Sequence, residues 1–267
     1  MGNLINKLLY QPPLDLDPGV SQITYLVTKS EKRTFCHFIN NNAKYTILFS
    51  HGNAETLFRS KIWFEREFLP RIKGNIFNIL IYEYTGYTYT NPEYYFSNSA
   101  PREKYIYEDI DAAFEYLINI KEIKPKNIIL YGRSLGTGPT VDLASRVKVG
   151  GVILQSAFLS AFKVALNLRF DICGDQFLNY KKIDKIECPV LLIHGVDDEI
   201  VPFEHSVQLH ELCKIKYQPL WVRGAGHNDL KSFGRLFYDS IEKFIESIEL
   251  NYVSQKIGNA NLSLLNS

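Results

Sequence analysis

The 267-residue chain predicts an α/β layer architecture with a mostly parallel central sheet, and three observations carry this. Short apolar runs of strand length recur along the chain, segments of helical spacing lie between them, and no Pro/Gly/Ser-rich linker divides it. The length suffices for one sizeable core. Hydrophobic content of 46%, with 17 Tyr and 17 Phe, suits an ordered globular protein rather than a disordered one.

Ile23 to Thr28 and Thr34 to Ile39 alternate as an opening antiparallel pair. Thr46 to Ser50, Asn78 to Tyr82, Asn127 to Tyr131, Gly151 to Gln155, Val190 to His194 and Tyr217 to Val222 then read as short, largely buried strands. Continuous apolar runs of this kind suit a parallel sheet covered on both faces. Between them, Ala54 to Leu69 has helical spacing through Leu57, Phe58, Ile62, Phe64 and Phe68. Glu108 to Asp111 reads as the acidic opening of a second helix, with Ile110, Phe114, Leu117 and Ile118 inward. Gly234 to Leu250 closes the folded region, with Leu236, Phe237, Ile241, Phe244, Ile245 and Ile248 on one side.

Two longer connections stand out. Phe158 to Phe177 is expected to form a short cap over the carboxyl edge of the sheet and a candidate acyl-chain surface. Gly86 to Pro101, rich in tyrosine, reads as an ordered surface loop that either packs on the surface or shapes substrate access. The resulting organisation is an N-terminal extension over 1–22, a single domain over 23–250 and a tail over 251–267, whose residues 258–267 are expected to fray.

Charge and composition narrow the function classes. Lys plus Arg number 30 against 29 Asp plus Glu, so a formal charge of +1 gives no electrostatic case for nucleic acid. Cys36, Cys173, Cys188 and Cys213 are scattered and read as mostly buried thiols of a reducing compartment. No run approaches the roughly 20 apolar residues that span a bilayer, and Asn6, Lys7 and Gln11 interrupt any secretory signal. Met1-Gly2-Asn3 offers the glycine that N-myristoylation requires, with Asn6 where Ser or Thr is preferred; one acyl chain there would give reversible membrane contact.

The chemistry concentrates in Tyr131-Gly132-Arg133-Ser134-Leu135-Gly136. Gly132 and Gly136 flank Ser134 at two positions on either side, directly after a predicted strand and before helix-compatible residues. This is the nucleophile-elbow pattern: a sharp strand-to-helix turn crowds the backbone, so small neighbours are needed to lift the serine oxygen above the sheet. An ordinary Gly/Ser turn is the alternative. Serine needs a base, and the base needs an acid to orient it. His227, in Gly224-Ala225-Gly226-His227-Asn228, is the best base, with a packed surface histidine as the alternative. Asp198 is the favoured acid, with Asp197 and Glu199 as competitors. The chain order Ser, Asp, His is that of the α/β-hydrolase fold. Donors for the developing oxyanion are expected from the backbone N–H groups of Leu135 and Asn53, the latter in His51-Gly52-Asn53-Ala54. His51 and His194 read as structural hydrogen-bonding residues, and neither the histidines nor the cysteines suggest a metal or other cofactor. The implied reaction is acyl transfer to Ser134 followed by hydrolysis.

Beyond the elbow, the runs His51-Gly52-Asn53-Ala54, Asp109-Ile110-Asp111-Ala112-Ala113, Pro139 to Arg146, Pro189 to Gly195, and Pro219 to Val222 with Gly224 to Asp229 span nearly the whole folded chain. Together they resemble the small bud-emergence-related α/β-hydrolases, a group that includes eukaryotic depalmitoylases acting on protein thioesters. The resemblance implies Ser134 as nucleophile, Asp198 as acid and His227 as base, an acylated protein as substrate, and a cytoplasmic protein with peripheral contact at the cytosolic face of membranes. The chain departs from the group in three places. Thr56 stands where relatives often carry an acidic residue, no cysteine precedes Cys36, and the 86–101 loop is long. A carboxylesterase or lipase-like enzyme on small or medium acyl esters therefore stays open, as does a catalytically silent scaffold binding a lipid or protein. These motifs do not encode oligomeric state.

Overall fold

A computed structural model describes residues 9–13, 23–73, 77–87, 99–166 and 170–265, the stretch 251–265 through its helical backbone alone. Eight strands form one sheet in the order β1-β2-β4-β3-β5-β6-β7-β8. They are β1 (Thr24–Val27), β2 (Arg33–Ile39), β3 (Tyr45–Ser50), β4 (Phe77–Tyr82), β5 (Ile128–Arg133), β6 (Gly151–Gln155), β7 (Val190–Gly195) and β8 (Leu220–Val222). The pairings β1 with β2 and β2 with β4 are antiparallel. All pairings from β4 through β3 to β8 are parallel. Each strand read from the sequence is present.

The continuous apolar runs have the reason anticipated for them. Leu48, Leu80, Leu130, Leu154 and Leu192 face one core, while Ile47, Phe49, Ile79, Ile81, Ile129, Ile153 and Ile193 face the other. Alternate residues of one strand enter opposite layers, so neither set tolerates polar atoms. The first core is closed by α2 (Glu103–Glu115), α3 (Thr137–Ala144) and α5 (Phe203–Leu212). The second is closed by α1 (Leu57–Trp63), with its π-helical continuation Phe64–Phe68, and by α6 (Arg235–Leu265). The short α4 (Ala161–Ala165) lies in the β6–β7 connection, where a cap was expected.

Several boundaries differ from the sequence reading. Helix α1 begins at Leu57 because Thr56 caps it, its Oγ1 accepting from Arg59 N at 3.2 Å. Helix α2 begins at Glu103, so Glu108 to Asp111 lie in its middle rather than at its start. Those acids have tertiary partners instead of helix-end amides. Glu108 accepts from Ser30 N and Oγ, Asp109 from Thr85 N and Oγ1, and Asp111 pairs with Arg146. Helix α6 continues past Leu250, the end expected, to Leu265, and no proline interrupts that stretch. Residues 88–98 of the tyrosine-rich loop and residues 1–8, with Gly2, lie outside the described residues. Cys36, Cys188 and Cys213 are buried thiols, and Cys173 is exposed.

Candidate active site

Strand β5 delivers Ser134 at its carboxyl end, where the chain passes through a 3-10 turn, Ser134–Gly136, into α3. Ser134 has φ of 51°, in the left-handed region that a side chain disfavours. Such a conformation costs on the order of 1–3 kcal/mol and persists only where the surroundings over-determine it. Here they do. A Cβ on Gly132 would lie 2.5 Å from Gly136 O, and one on Gly136 would lie 2.0 Å from Ser50 O. The flanking glycines are thus required by backbone crowding on both sides of the serine. Pro139, an apparent conflict with a helix, is the third residue of α3, within the first turn where amides lack helical partners.

The loop after β8 carries His227, and the loop after β7 carries Asp198. His227 Nε2 lies 3.0 Å from Ser134 Oγ, and His227 Nδ1 lies 2.8 Å from Asp198 Oδ2. A carboxylate only accepts, so Nδ1 carries the proton; in the neutral ring Nε2 is then the acceptor facing the serine hydroxyl. The three acids of the β7 loop separate by partner. Asp197 Oδ2 accepts from Gly224 N at 2.8 Å, and Glu199 Oε2 from His227 N at 3.2 Å, so both hold the backbone of the histidine loop. Of the three, Asp198 is the one on the imidazole.

Asp198 is itself fixed. Its side chain is shielded from solvent, its Oδ1 accepts from Ile200 N and Val201 N at 2.9 and 2.8 Å, and His194 Nε2 lies 3.2 Å from Oδ2. Burial works against its charged form, but the hydrogen bonds from His194 and His227 outweigh burial and hold the carboxyl well below its ordinary range. The structural reading of His194 from sequence corresponds to this contact. His51 is structural too: Nδ1 faces Gly52 O and Nε2 faces Glu83 Oε1, both at 2.9 Å, in a fully buried setting. A protonated ring would donate to both of these oxygens. Burial disfavours that charge, yet Glu83 raises the His51 pKa overall.

Asn53 and Leu135 line, together with Ser134, a cavity of about 340 Å³. Most of its other walls are apolar: Leu9, Phe158, Ala161, Val164, Ile200 and Val201. The expected cap therefore reaches the site through Phe158 and α4, whereas Phe177 packs away from it, its ring against Gly138. Residues not anticipated from sequence also converge here. Arg133 pairs with Glu55 and donates from Nη2 to Asn228 Oδ1 at 2.7 Å, while Glu55 accepts from Gly52 N at 2.8 Å. One side chain thereby ties together the loops that carry Asn53, Ser134 and His227. Leu9 and Gln11 of the N-terminal segment complete the wall. Among the described residues no His/Cys/Asp/Glu group is placed to hold a metal ion, and no helix is long and apolar enough to cross a membrane.

Residues 78–231 match the model of the dienelactone hydrolase family, a span that includes Ser134, Asp198 and His227. α/β-Hydrolase domain-containing protein 17B of Homo sapiens is 40% identical over 227 residues, covering 84% of this chain and 75% of the relative. The 17B protein of Xenopus tropicalis is 41% identical over 221 residues, covering 82% and 73%. The chain belongs to the dienelactone hydrolase family and to the α/β-hydrolase domain-containing 17 proteins. The resemblance to bud-emergence-related α/β-hydrolases drawn from the motifs agrees with this membership. More distant solved structures share the fold of this α/β-hydrolase. A Pyrococcus furiosus esterase superposes with TM-score 0.68 at 18% identity, covering 89% of this chain and 98% of that one. A Mycobacterium tuberculosis puromycin-hydrolysing peptidase superposes with TM-score 0.60 at 17% identity, covering 84% and 38%. This 17-type chain is a serine hydrolase by family.

Proposed function

We propose that Ser134, His227 and Asp198 are the catalytic triad and that the substrate is a protein carrying a long-chain acyl thioester, such as a palmitoylated cysteine. The observation that carries this reading is the hydrogen-bonded line from Ser134 Oγ through His227 to Asp198, opening onto an apolar-walled cavity. His227 Nε2 takes the hydroxyl proton as Ser134 Oγ bonds to the thioester carbonyl carbon. The carbonyl oxygen becomes negative and receives the N–H groups of Asn53 and Leu135. Collapse of the tetrahedral species breaks the carbon–sulfur bond, and the His227 imidazolium returns its proton to the leaving thiolate. Water, deprotonated by His227, then attacks the acyl-enzyme and releases the fatty acid and the serine. Asp198 stays ionised throughout, holding Nδ1–H and balancing the imidazolium. No step calls for a cofactor.

We infer that the acylated protein is met at the cytosolic face of a membrane, with the enzyme in the cytoplasm and in peripheral contact with that face. The test is hydrolysis of a matched series of acyl esters and thioesters, including a palmitoylated peptide, by the wild type and by Ser134→Ala. Release of palmitate by the wild type and loss of release in the variant is the expected result. Turnover of short esters without thioesterase activity would replace this reading with a carboxylesterase, and absence of all turnover would favour a silent scaffold.

A further inference from the structure

The segment 9–13 belongs to the stretch that the sequence suggests is an extension outside the domain, yet Leu9 and Tyr10 are buried. Asn53 Nδ2 donates to Leu9 O at 2.9 Å, and Gln11 N donates back to Asn53 Oδ1 at 2.9 Å. Tyr87 OH, from the start of the tyrosine-rich loop, donates to the same Oδ1 at 2.6 Å. Both arms of the Asn53 side chain are thus engaged in holding the segment. Its far side is held as well. Tyr10 OH donates to Gln176 Oε1, and the Tyr10 ring meets Phe177 edge-on with centroids 6.2 Å apart. Phe177 in turn lies against Gly138, where a Cβ would be 2.4 Å from the ring. The strap is therefore seated between the oxyanion loop and the cap, anchored at both edges.

Leu9 lines the cavity that Ser134, Leu135, Val164 and Ile200 also line. We propose that Leu9 is a specificity-determining residue that limits the length of acyl chain the cavity accepts, and that the Asn53 side chain is the positioning group that keeps Leu9 there. This inference rests on the reading of Ser134 as the acyl-accepting nucleophile. A hydrophobic pocket discriminates by roughly 10–200-fold per methylene-sized change, so altering one wall residue is large enough to read. A bulky side chain at position 9 shortens the cavity; a small one opens it.

The experiment uses the full chain and thioesters from butanoyl to palmitoyl, with fluorophosphonate labelling as the measure of an intact site. Leu9→Trp is expected to lower the ratio of palmitoyl to butanoyl kcat/KM about tenfold or more, and Leu9→Ala to raise it, labelling being retained. Asn53→Ala, which keeps the backbone N–H but releases the strap, should shift the ratio in the direction of Leu9→Ala. A merely structural Asn53 would lower all substrates together and leave the ratio unmoved. Ratios equal to wild type in both Leu9 variants, with labelling intact, overturn the inference. Labelling that survives Ser134→Ala overturns the reading beneath it and the inference with it.

Discussion

Asp197, Asp198 and Glu199 follow β7 one after another, and their partners separate them: two hold backbone amides of the histidine loop and one meets the imidazole. Asp198→Asn tests this separation. An amide in place of the carboxylate turns the ring toward the wrong tautomer and removes the charge that balances the imidazolium, so kcat should fall by about 10⁴ while KM changes little. Loss of activity on Asp197→Asn with Asp198→Asn active would reassign the acid. Ser134, His227 and Asp198, the residues proposed as nucleophile, base and acid, could be singled out in the sequence because each follows an apolar strand run, and the structure brings their side chains into one hydrogen-bonded line. Asp198 was favoured over Asp197 and Glu199 from sequence, but the partners that separate the three were not legible, because they depend on which carboxylate the loop turns inward. Arg133 was hidden more completely. Its partners Glu55 and Asn228 are 78 and 95 residues away, and no local pattern marks such a contact.

At the scale of elements, the turn from β5 into α3 determines whether Ser134 presents its oxygen at all. Gly136 is the tighter of its two glycines, since a Cβ would overlap the rigid backbone of β3 at Ser50. Gly136→Ala must therefore push β3 and β5 apart or abandon the turn. It should destabilise the fold by roughly 3 kcal/mol or more, as expected for a change with no room to relax, and abolish fluorophosphonate labelling. Urea unfolding and labelling read both; a stable, labelled variant would show that the elbow has room for a methyl group at Gly136. The parallel strands were legible because they are buried on both faces and so read as unbroken apolar runs. The start of α2 was misplaced because acids in a row look like a helix N-terminus. In fact Asp109 and Glu108 reach sideways to the chain segments at Thr85 and Ser30.

For the whole molecule, Asp109 links folding to pH. Burial, with Glu83 and Glu108 adding to it and the Thr85 hydrogen bonds opposing it, lifts its carboxyl to about 8. The folded state thus keeps a proton that the unfolded chain releases near pH 4. The resulting stability is fully present below about 4 and is lost as pH rises through about 8. Asp109→Asn preserves the shape and both contacts with Thr85 without titrating. Thermal melts at acidic, neutral and alkaline pH should show the wild type losing Tm relative to the variant as pH rises. Parallel curves would mean that Asp109 is ionised in the fold. The same scale explains why the N-terminal strap escaped a reading by sequence: Leu9 and Gln11 meet Asn53 across 44 and 42 residues, and nothing in their own composition marks a site wall.

The most direct test of the central claim, that Ser134 is the nucleophile of an acyl-enzyme, is intact-protein mass spectrometry after reaction with a fluorophosphonate, followed by peptide mapping of the adduct. A single adduct on Ser134 that is absent from Ser134→Ala and strongly slowed in His227→Ala is the predicted result. An adduct on another residue, or labelling unaffected by either substitution, would contradict the account.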